Sequence, residues 1–566
     1  MVAALPLNSK AAIFSPSNIS TMGLQTLDYV VFFIYFIIVS SYGYWIYKKK
    51  SSAKADSKDF FLAEGSLTWW AIGASLIASN ISAEQMIGMA GSGFAMGLAI
   101  STYEWMAALT LIIVATFFIP IYLKNKIYTM PQFLSQRYND TVSTVMAVFW
   151  LLVYVFVNLS SILYLGALAI ETVTGIDFFY CMFGLALFAI FITLGGMKVI
   201  GYTDVIQVFV LVLGGLVTTY LALELVSQNL TNGGVWEGLG LLRKEAADHF
   251  SMILSKGEIM MPNGEGGTRD AYMDLPGLSV LIGGMWIINL NYWGCNQYIT
   301  QRALGADLNT ARNGLLYAAF LKLLMPVIVV LPGIAAYVLF KNGHFQQEMA
   351  NQLGHVKPDH AYPVLLNLLP VGLKGLSFAA LTAAIVASLA GKANSISTIY
   401  TLDIYRKFFN RDASEKRLVG FGRIVVVVAF IIALFVAPFL RNLDQAFQYI
   451  QEYTGFISPG VFAIFSLGFF WKRTTSPAAL LAAVLTIPLS TFLKFQFPEI
   501  PFIDRMGIVF VILVALMVIV TLMDPKSKTN PKGLEIDRSM FKTSSTFTVG
   551  SVLVIGILIG LYSVFW

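Results

Sequence analysis

Gln85, Glu104, Asn289, Lys322 and Gln451 carry strong hydrogen-bonding groups, yet each stands within an apolar stretch of the chain. Polar groups in such surroundings are costly in hydrocarbon and turn toward a cavity or a partner. Together they offer the donors and acceptors that a neutral polyol needs, because every hydroxyl both donates and accepts. Tyr103, Trp105, Tyr292 and Trp293 lie beside them in sequence and can pack on the C–H face of a sugar ring. An anionic substrate would more naturally meet an arginine fork, and the apolar runs contain no central arginine. A neutral hydroxylated solute is therefore the ligand class implied.

Each group also has a plainer explanation. Glu104 suits a wetted aromatic belt at a membrane surface, and Lys322 can snorkel to an interface. Gln448 and Gln451, with Glu452 and Tyr453, open one run, and a spacing of three residues puts both amides on one helix face, where both are expected to point at one ligand.

These side chains need helices to hold them in a bilayer. Of 566 residues, 57% are hydrophobic and 12% charged, where a soluble domain carries roughly 25% charge. About 20 apolar residues make one span, and about fourteen such runs are found. They lie near residues 27–46, 69–95, 98–121, 143–170, 178–197, 203–226, 276–299, 314–340, 375–403, 420–440, 445–471, 475–495, 505–523 and 546–565. An all-α polytopic protein is expected, with one membrane transport domain over 1–566. Segments 227–274, 404–419 and 524–545 are its only long polar stretches, none able to form a domain core.

Two runs hold polar clusters at mid-depth. One reads Ser79, Asn80, Ile81, Ser82, Ala83, Glu84, Gln85, and the other contains Asn289, Asn291, Tyr292, Trp293, Gly294 and Asn296. Both helices are expected to break, around Asn80 and around Asn291. Unwound backbone persists in a membrane only where it lines a cavity or binds a ligand, and matching interruptions in two halves of a chain mark a transport site. Interhelical hydrogen bonding is the alternative for any single Asn or Ser. Carbonyls freed at a break, with one or two hydroxyls, suit a hard cation such as sodium. Ser388, after the small-residue stretch Ala383, Ala384, Ile385, Val386, Ala387, either supplies a hydroxyl or bonds back to its own helix.

Charge follows topology. The first run is too long for a signal-peptide core and precedes Lys48, Lys49 and Lys50, which places the N-terminus outside a cell inner (plasma) membrane. On the same alternation the inside loops hold Lys124, Lys126 and Arg137, then Arg302 and Arg312, then Arg406, Lys407, Arg411, Lys416 and Arg417, and finally Lys526 to Lys542. The net charge of +6 thus needs no nucleic-acid partner, and no basic patch offers one. Cys181 and Cys295 sit in apolar runs, which argues against a disulfide framework or a metal site. His249, His344, His355 and His360 fall in expected outside loops without metal-ligand spacing and are expected at the solvated surface. Gly91, Gly93 and Gly97 miss the spacing of a phosphate loop, so close helix packing explains them better. No enzyme is expected.

At these residues the chain closely resembles the solute:sodium symporters of the sodium/glucose cotransporter type. The resemblance covers nearly the whole chain and is carried by WWAIGASLIASNISAEQMIGMAGSG from Trp69, NYWGCNQYITQR from Asn291, AAFLKLLMPVIVVLPGIAAYV from Ala318 and QAFQYIQEYTGFISPG from Gln445. It implies fourteen helices and a LeuT-like core of two inverted five-helix repeats with broken helices, which fall here at 69–226 and 276–471, with an extra N-terminal helix at 27–46 and additional C-terminal helices at 475–565. It assigns sugar contacts to Gln85, Glu104, Asn289, Lys322 and Gln451, with Tyr292 as inner gate and Met89, Tyr103 and Phe447 as outer gate. It assigns sodium to the carbonyls of Ala78, Ile81 and Ala384 and to a pair of serine hydroxyls, which read Ala387 and Ser388 here.

The chain departs from that pattern at three places. Ala387 removes one hydroxyl from the ion site. Lys392, four residues beyond Ser388 on the same face, either opposes or replaces sodium by its charge, or snorkels to the cytoplasm, which is the expected outcome. Ala107 replaces a serine near the sugar, a change worth on the order of 1 kcal/mol. The implied function is sodium-coupled secondary active symport of a neutral hexose, galactose or glucose, by alternating access. Symport of another polyol such as myo-inositol, or a sensor or uniporter of the same fold with coupling lost, are the alternatives. Sugar, sodium and the lipid bilayer are the expected partners, and the oligomeric state is left open.

Overall fold

The computed structural model describes residues 23–50, 67–194, 197–231, 233–263, 267–350, 354–442, 446–529 and 532–566. Gln445 and the side chains of the orienting lysines Lys48, Lys49 and Lys50 lie outside that description. The fold is helical almost throughout, and each expected run falls on helical segments. Among the described residues nine helices are long and apolar enough to cross a bilayer, or eleven if each of two bent pairs forms one span, against the fourteen expected. The three other runs are helical too. Thr26–Tyr42 and Phe178–Thr193 are apolar but shorter than 18 residues. Run 69–95 divides at Asn80, and its second arm continues through Gly97 toward Lys124.

The first break falls where the polar cluster places it. Helix Trp69–Asn80 stops at Ile81, whose φ of −75° and ψ of 84° leave the helical region. The chain then resumes as a wide turn over Glu84–Met89 and as helix Ala90–Met96. The second break departs from expectation. Helix Gly284–Gly294 runs regularly through Asn291 and ends at Cys295, after which Asn296 caps helix Gln297–Leu304 by accepting from the Tyr298 amide at 3.1 Å. Asn291 has a lateral use instead: its amide donates to the Ser458 hydroxyl at 3.0 Å. A further bend of 79° precedes this helix at Gly283, and one of 49° separates Phe447–Thr454 from Ser458–Phe470.

Helix Leu308–Lys341 packs along both arms of the first broken helix. Glycine makes that approach possible. A Cβ on Gly333 would stand 2.1 Å from the Ala90 carbonyl oxygen, and one on Gly93 would stand 2.7 Å from that of Val330. Gly97 turns the chain with a φ of 70° and lies so near the His249 backbone that a Cβ would meet it at 2.3 Å.

That closeness overturns the surface expectation for His249. Its ring stacks on Tyr337 at 4.0 Å and its Nε2 lies 3.2 Å from the Phe94 carbonyl, leaving the residue buried. Segment 227–274 carries it inward with helix Val235–Glu245 and a small antiparallel hairpin, Met260–Pro262 against Thr268–Asp270. Three arginines assigned to inside loops, Arg137, Arg302 and Arg312, are also buried. Arg137 donates to the carbonyls of Gly468, Trp471, Lys472 and Thr474, and Arg312 to those of Ala115, Met540 and Lys542. Each of these two guanidiniums ties together backbone carbonyls from separate segments: Arg137 at the end of helix Ser458–Phe470 and the turn after it, Arg312 between the span Glu84–Lys124 and the segment around Met540.

Candidate functional site

The interruption at Asn80 points its last turn at a cavity enclosed by both broken helices. Glu104 enters from helix Thr102–Ile113 and Lys322 from helix Leu308–Lys341. Lys322 Nζ lies 2.5 Å from Glu104 Oε2, with the two side chains 1% and 2% exposed. Glu104 Oε1 accepts from the Gln85 amide at 2.5 Å, and the same amide reaches Asn80 Oδ1 at 3.3 Å. Asn80 Oδ1 also accepts from Lys322, while the Asn80 amide donates to the Tyr292 hydroxyl at 3.2 Å. Neither Glu104 nor Lys322 therefore serves as a belt or snorkelling residue. Two opposed charges out of water need such a network to offset their desolvation.

Asn289 lines the opposite wall, its amide donating back to the Met285 carbonyl at 3.2 Å, and Gln451 lines it from helix Ala446–Thr454. Tyr292, Tyr103 and Phe447 line it as well, the last two meeting edge to face at 5.2 Å. Met89 is buried but absent from the lining. Ala107 is present, so a methyl faces the cavity there. Gln448 does not share the cavity with Gln451, since its amide turns to the Met96 sulfur at 3.9 Å. Glu452 points outward to Arg505 at 2.7 Å and Lys494 at 3.2 Å.

Beside the first break, Ser388 Oγ lies 3.5 Å from the Ala78 carbonyl oxygen and 3.4 Å from that of Ser79, so its hydroxyl faces the interruption. Ala78 in helix Trp69–Asn80, Ile81 just after it, and Ala384 and Ala387 in helix Leu373–Thr398 are all buried, and these two helices pack against each other. Backbone oxygens and one hydroxyl form a hard donor set suited to sodium.

Lys392 contradicts the snorkelling expectation. It is 3% exposed, donates to Asn158 Oδ1 at 3.2 Å and sits over the rings of Tyr298 at 4.3 Å and Tyr154 at 5.0 Å. These partners hold the ammonium inside the bundle, where the cytoplasmic surface is out of its reach. Glu84, part of the first polar cluster, and Asn158, not singled out in the sequence, line the same cavity. Both are legible as polar groups within apolar runs. Beneath them Ser75 donates to Asp204 at 2.6 Å and accepts from Arg302 at 3.0 Å. Arg302 lies just past a run boundary, so polarity at mid-run does not reveal it.

The sodium:solute symporter family model matches residues 60–486 of this chain. The chain belongs to that family. A sodium/glucose cotransporter of Vibrio parahaemolyticus is 46% identical to this symporter over 551 residues, covering 96% of the chain and 99% of the relative. The human sodium/myo-inositol cotransporter 2 is 35% identical over 477 residues, covering 81% and 68%. The solved structure of a Na+-coupled sialic acid symporter, substrate-bound and outward-open, matches with a TM-score of 0.73 at 21% identity over 88% of this chain and 98% of that one. The symporter thus has that LeuT-like fold, with sodium as coupling ion of its family.

Proposed function

We propose that this symporter imports a neutral hexose, galactose or glucose, together with sodium across the plasma membrane, with its N-terminus outside. The observation that carries the reading is the cavity in which Gln85, Glu104, Asn289, Lys322 and Gln451 converge between broken helices. Its amides and the Lys322–Glu104 pair supply alternating donors and acceptors, and Tyr292 and Trp293 supply flat faces. The substantial identity to a sodium/glucose cotransporter supports the same substrate class. Tyr292 closes the inner side of the sugar, and Tyr103, Phe447 and Met89 the outer side. Sodium is gathered by the carbonyls of Ala78, Ile81 and Ala384 and by Ser388. The two halves, 69–226 and 276–471, act as inverted repeats that rock about this centre.

The test is uptake of labelled galactose by proteoliposomes with sodium or potassium outside, challenged with glucose, myo-inositol and a linear polyol. Accumulation in sodium alone, with glucose competing, is the expected result. Equal uptake in both salts sinks the coupling, and competition by myo-inositol alone transfers the reading to that polyol.

A further inference from the structure

Lys392 stands one helical turn beyond Ser388, on helix Leu373–Thr398, with its ammonium inside the bundle. Three tyrosine rings surround it: Tyr298 at 4.3 Å, Tyr154 at 5.0 Å and Tyr292 at 6.0 Å. Asn158 adds one oxygen at 3.2 Å. Aromatic faces with a carbonyl oxygen are the surroundings that proteins build for a cation. Glu84 lines the same cavity, and its Oε1 is buried without a hydrogen-bond partner. A carboxylate oxygen left in that state demands an opposing charge. Glu84 and Lys392 both line this cavity, so the carboxylate and the ammonium share one enclosed polar space.

The ammonium is also wired to the break. Tyr298, on whose ring it rests, donates its hydroxyl to the Ser79 carbonyl at 2.8 Å, and the Arg302 guanidinium lies 4.9 Å from the same ring. One aromatic ring therefore separates Lys392 from the Ser79 carbonyl oxygen that Ser388 also faces.

We propose that Lys392 is a tethered cation: its ammonium holds, in the cavity it shares with Glu84, a place that an alkali cation would otherwise fill, and so sets how much sodium the broken helix must gather. A covalently fixed charge stays when external sodium falls, whereas a bound ion leaves. Removing it exposes Glu84 to solution cations and relieves the repulsion felt at the break.

The inference rests on the reading of this chain as a sodium-driven sugar importer, and its test separates the two. Purified protein without sugar is melted across a sodium series at constant ionic strength made up with choline, because an ion that binds the folded state raises its melting temperature. Lys392→Met should reach half its sodium-dependent shift at a concentration at least threefold lower than the parent. Adding Glu84→Gln should cancel that gain. Glu84→Gln alone leaves the ammonium unopposed and should raise the midpoint at least threefold, which keeps the test open if Lys392→Met does not fold. Identical midpoints in the parent and in whichever single variants fold, or a gain that survives Glu84→Gln, overturn the proposal. Absence of uptake with every sugar would instead sink the transport reading, while the melting series still judges Lys392.

Discussion

The Asn80 amide donates to the Tyr292 hydroxyl at 3.2 Å, so a residue at the first helix break is hydrogen-bonded to one on the second broken helix. Asn80 Oδ1 meanwhile accepts from Lys322 and Gln85. The floor of the cavity is thus coupled to its polar wall through one amide. Movement of either broken helix must alter a hydrogen bond of the other, which is the property that alternating access about a central site requires.

Tyr292→Phe keeps the ring and removes the hydroxyl, while Asn80→Ala removes the amide. If the bond couples the two broken helices, the two changes are non-additive. The double variant should lose about 0.5–1.5 kcal/mol less transport free energy than the sum of the singles. Sugar half-saturation and maximal uptake in the four proteins of this cycle check it, and strict additivity would reject the coupling.

Gln451 and Lys322 separate binding from stability. Gln451→Ala should raise the sugar half-saturation about tenfold, the effect of losing roughly 1.4 kcal/mol, with an unchanged melting temperature. Lys322→Ala also weakens the sugar but leaves Glu104 buried and unpaired, a loss of about 3–5 kcal/mol in comparable buried pairs. Its melting temperature should fall by several degrees. Unchanged half-saturation in both variants would remove these residues from the sugar site.

Much of this site is legible in the amino-acid sequence. Hydrocarbon tolerates so few polar groups that Gln85, Glu104 and Lys322 stand out in apolar runs, and all three line one cavity. Asn291 misleads for the same reason: polarity marks a buried amide but does not distinguish an unwound turn from a bond to a neighbouring helix, here Ser458. The break at Cys295 and Asn296 depends on capping, a local geometry that hydropathy does not encode. Lys392 is visible as a charge, but its fate depends on rings from Tyr154 and Tyr298, brought to it by distant segments. His249 escapes for the same reason, because the glycine that admits it, Gly97, lies far earlier in the chain.

Close packing around the first broken helix gives a stability prediction. Gly333→Ala would drive a methyl to 2.1 Å from the Ala90 carbonyl oxygen, which is backbone and cannot swing aside. Overpacking of this kind typically costs about 1–3 kcal/mol, so the melting temperature should drop by several degrees. Gly184→Ala is the control, since a methyl there would have nothing within 4 Å and helix Phe178–Thr193 gains a better helix former. Equal melting of both variants would show that the approach of the two helices is not tight in the membrane.

Ser388 gives the sharpest test of ion placement. Its hydroxyl is the side-chain oxygen that reaches 3.4–3.5 Å from the carbonyls of Ala78 and Ser79. Ser388→Ala should raise the sodium concentration for half-maximal uptake at least tenfold while the sugar half-saturation at saturating sodium stays near the parent value. Ala387→Ser adds a second hydroxyl on the same buried helix and should shift the sodium midpoint the other way. The two curves are read against each other because a general loss of folding lowers uptake at every sodium concentration, whereas loss of a ligand moves the midpoint. A sodium midpoint unaffected by Ser388→Ala would move the ion away from this break and leave the oxygens there with a purely structural use.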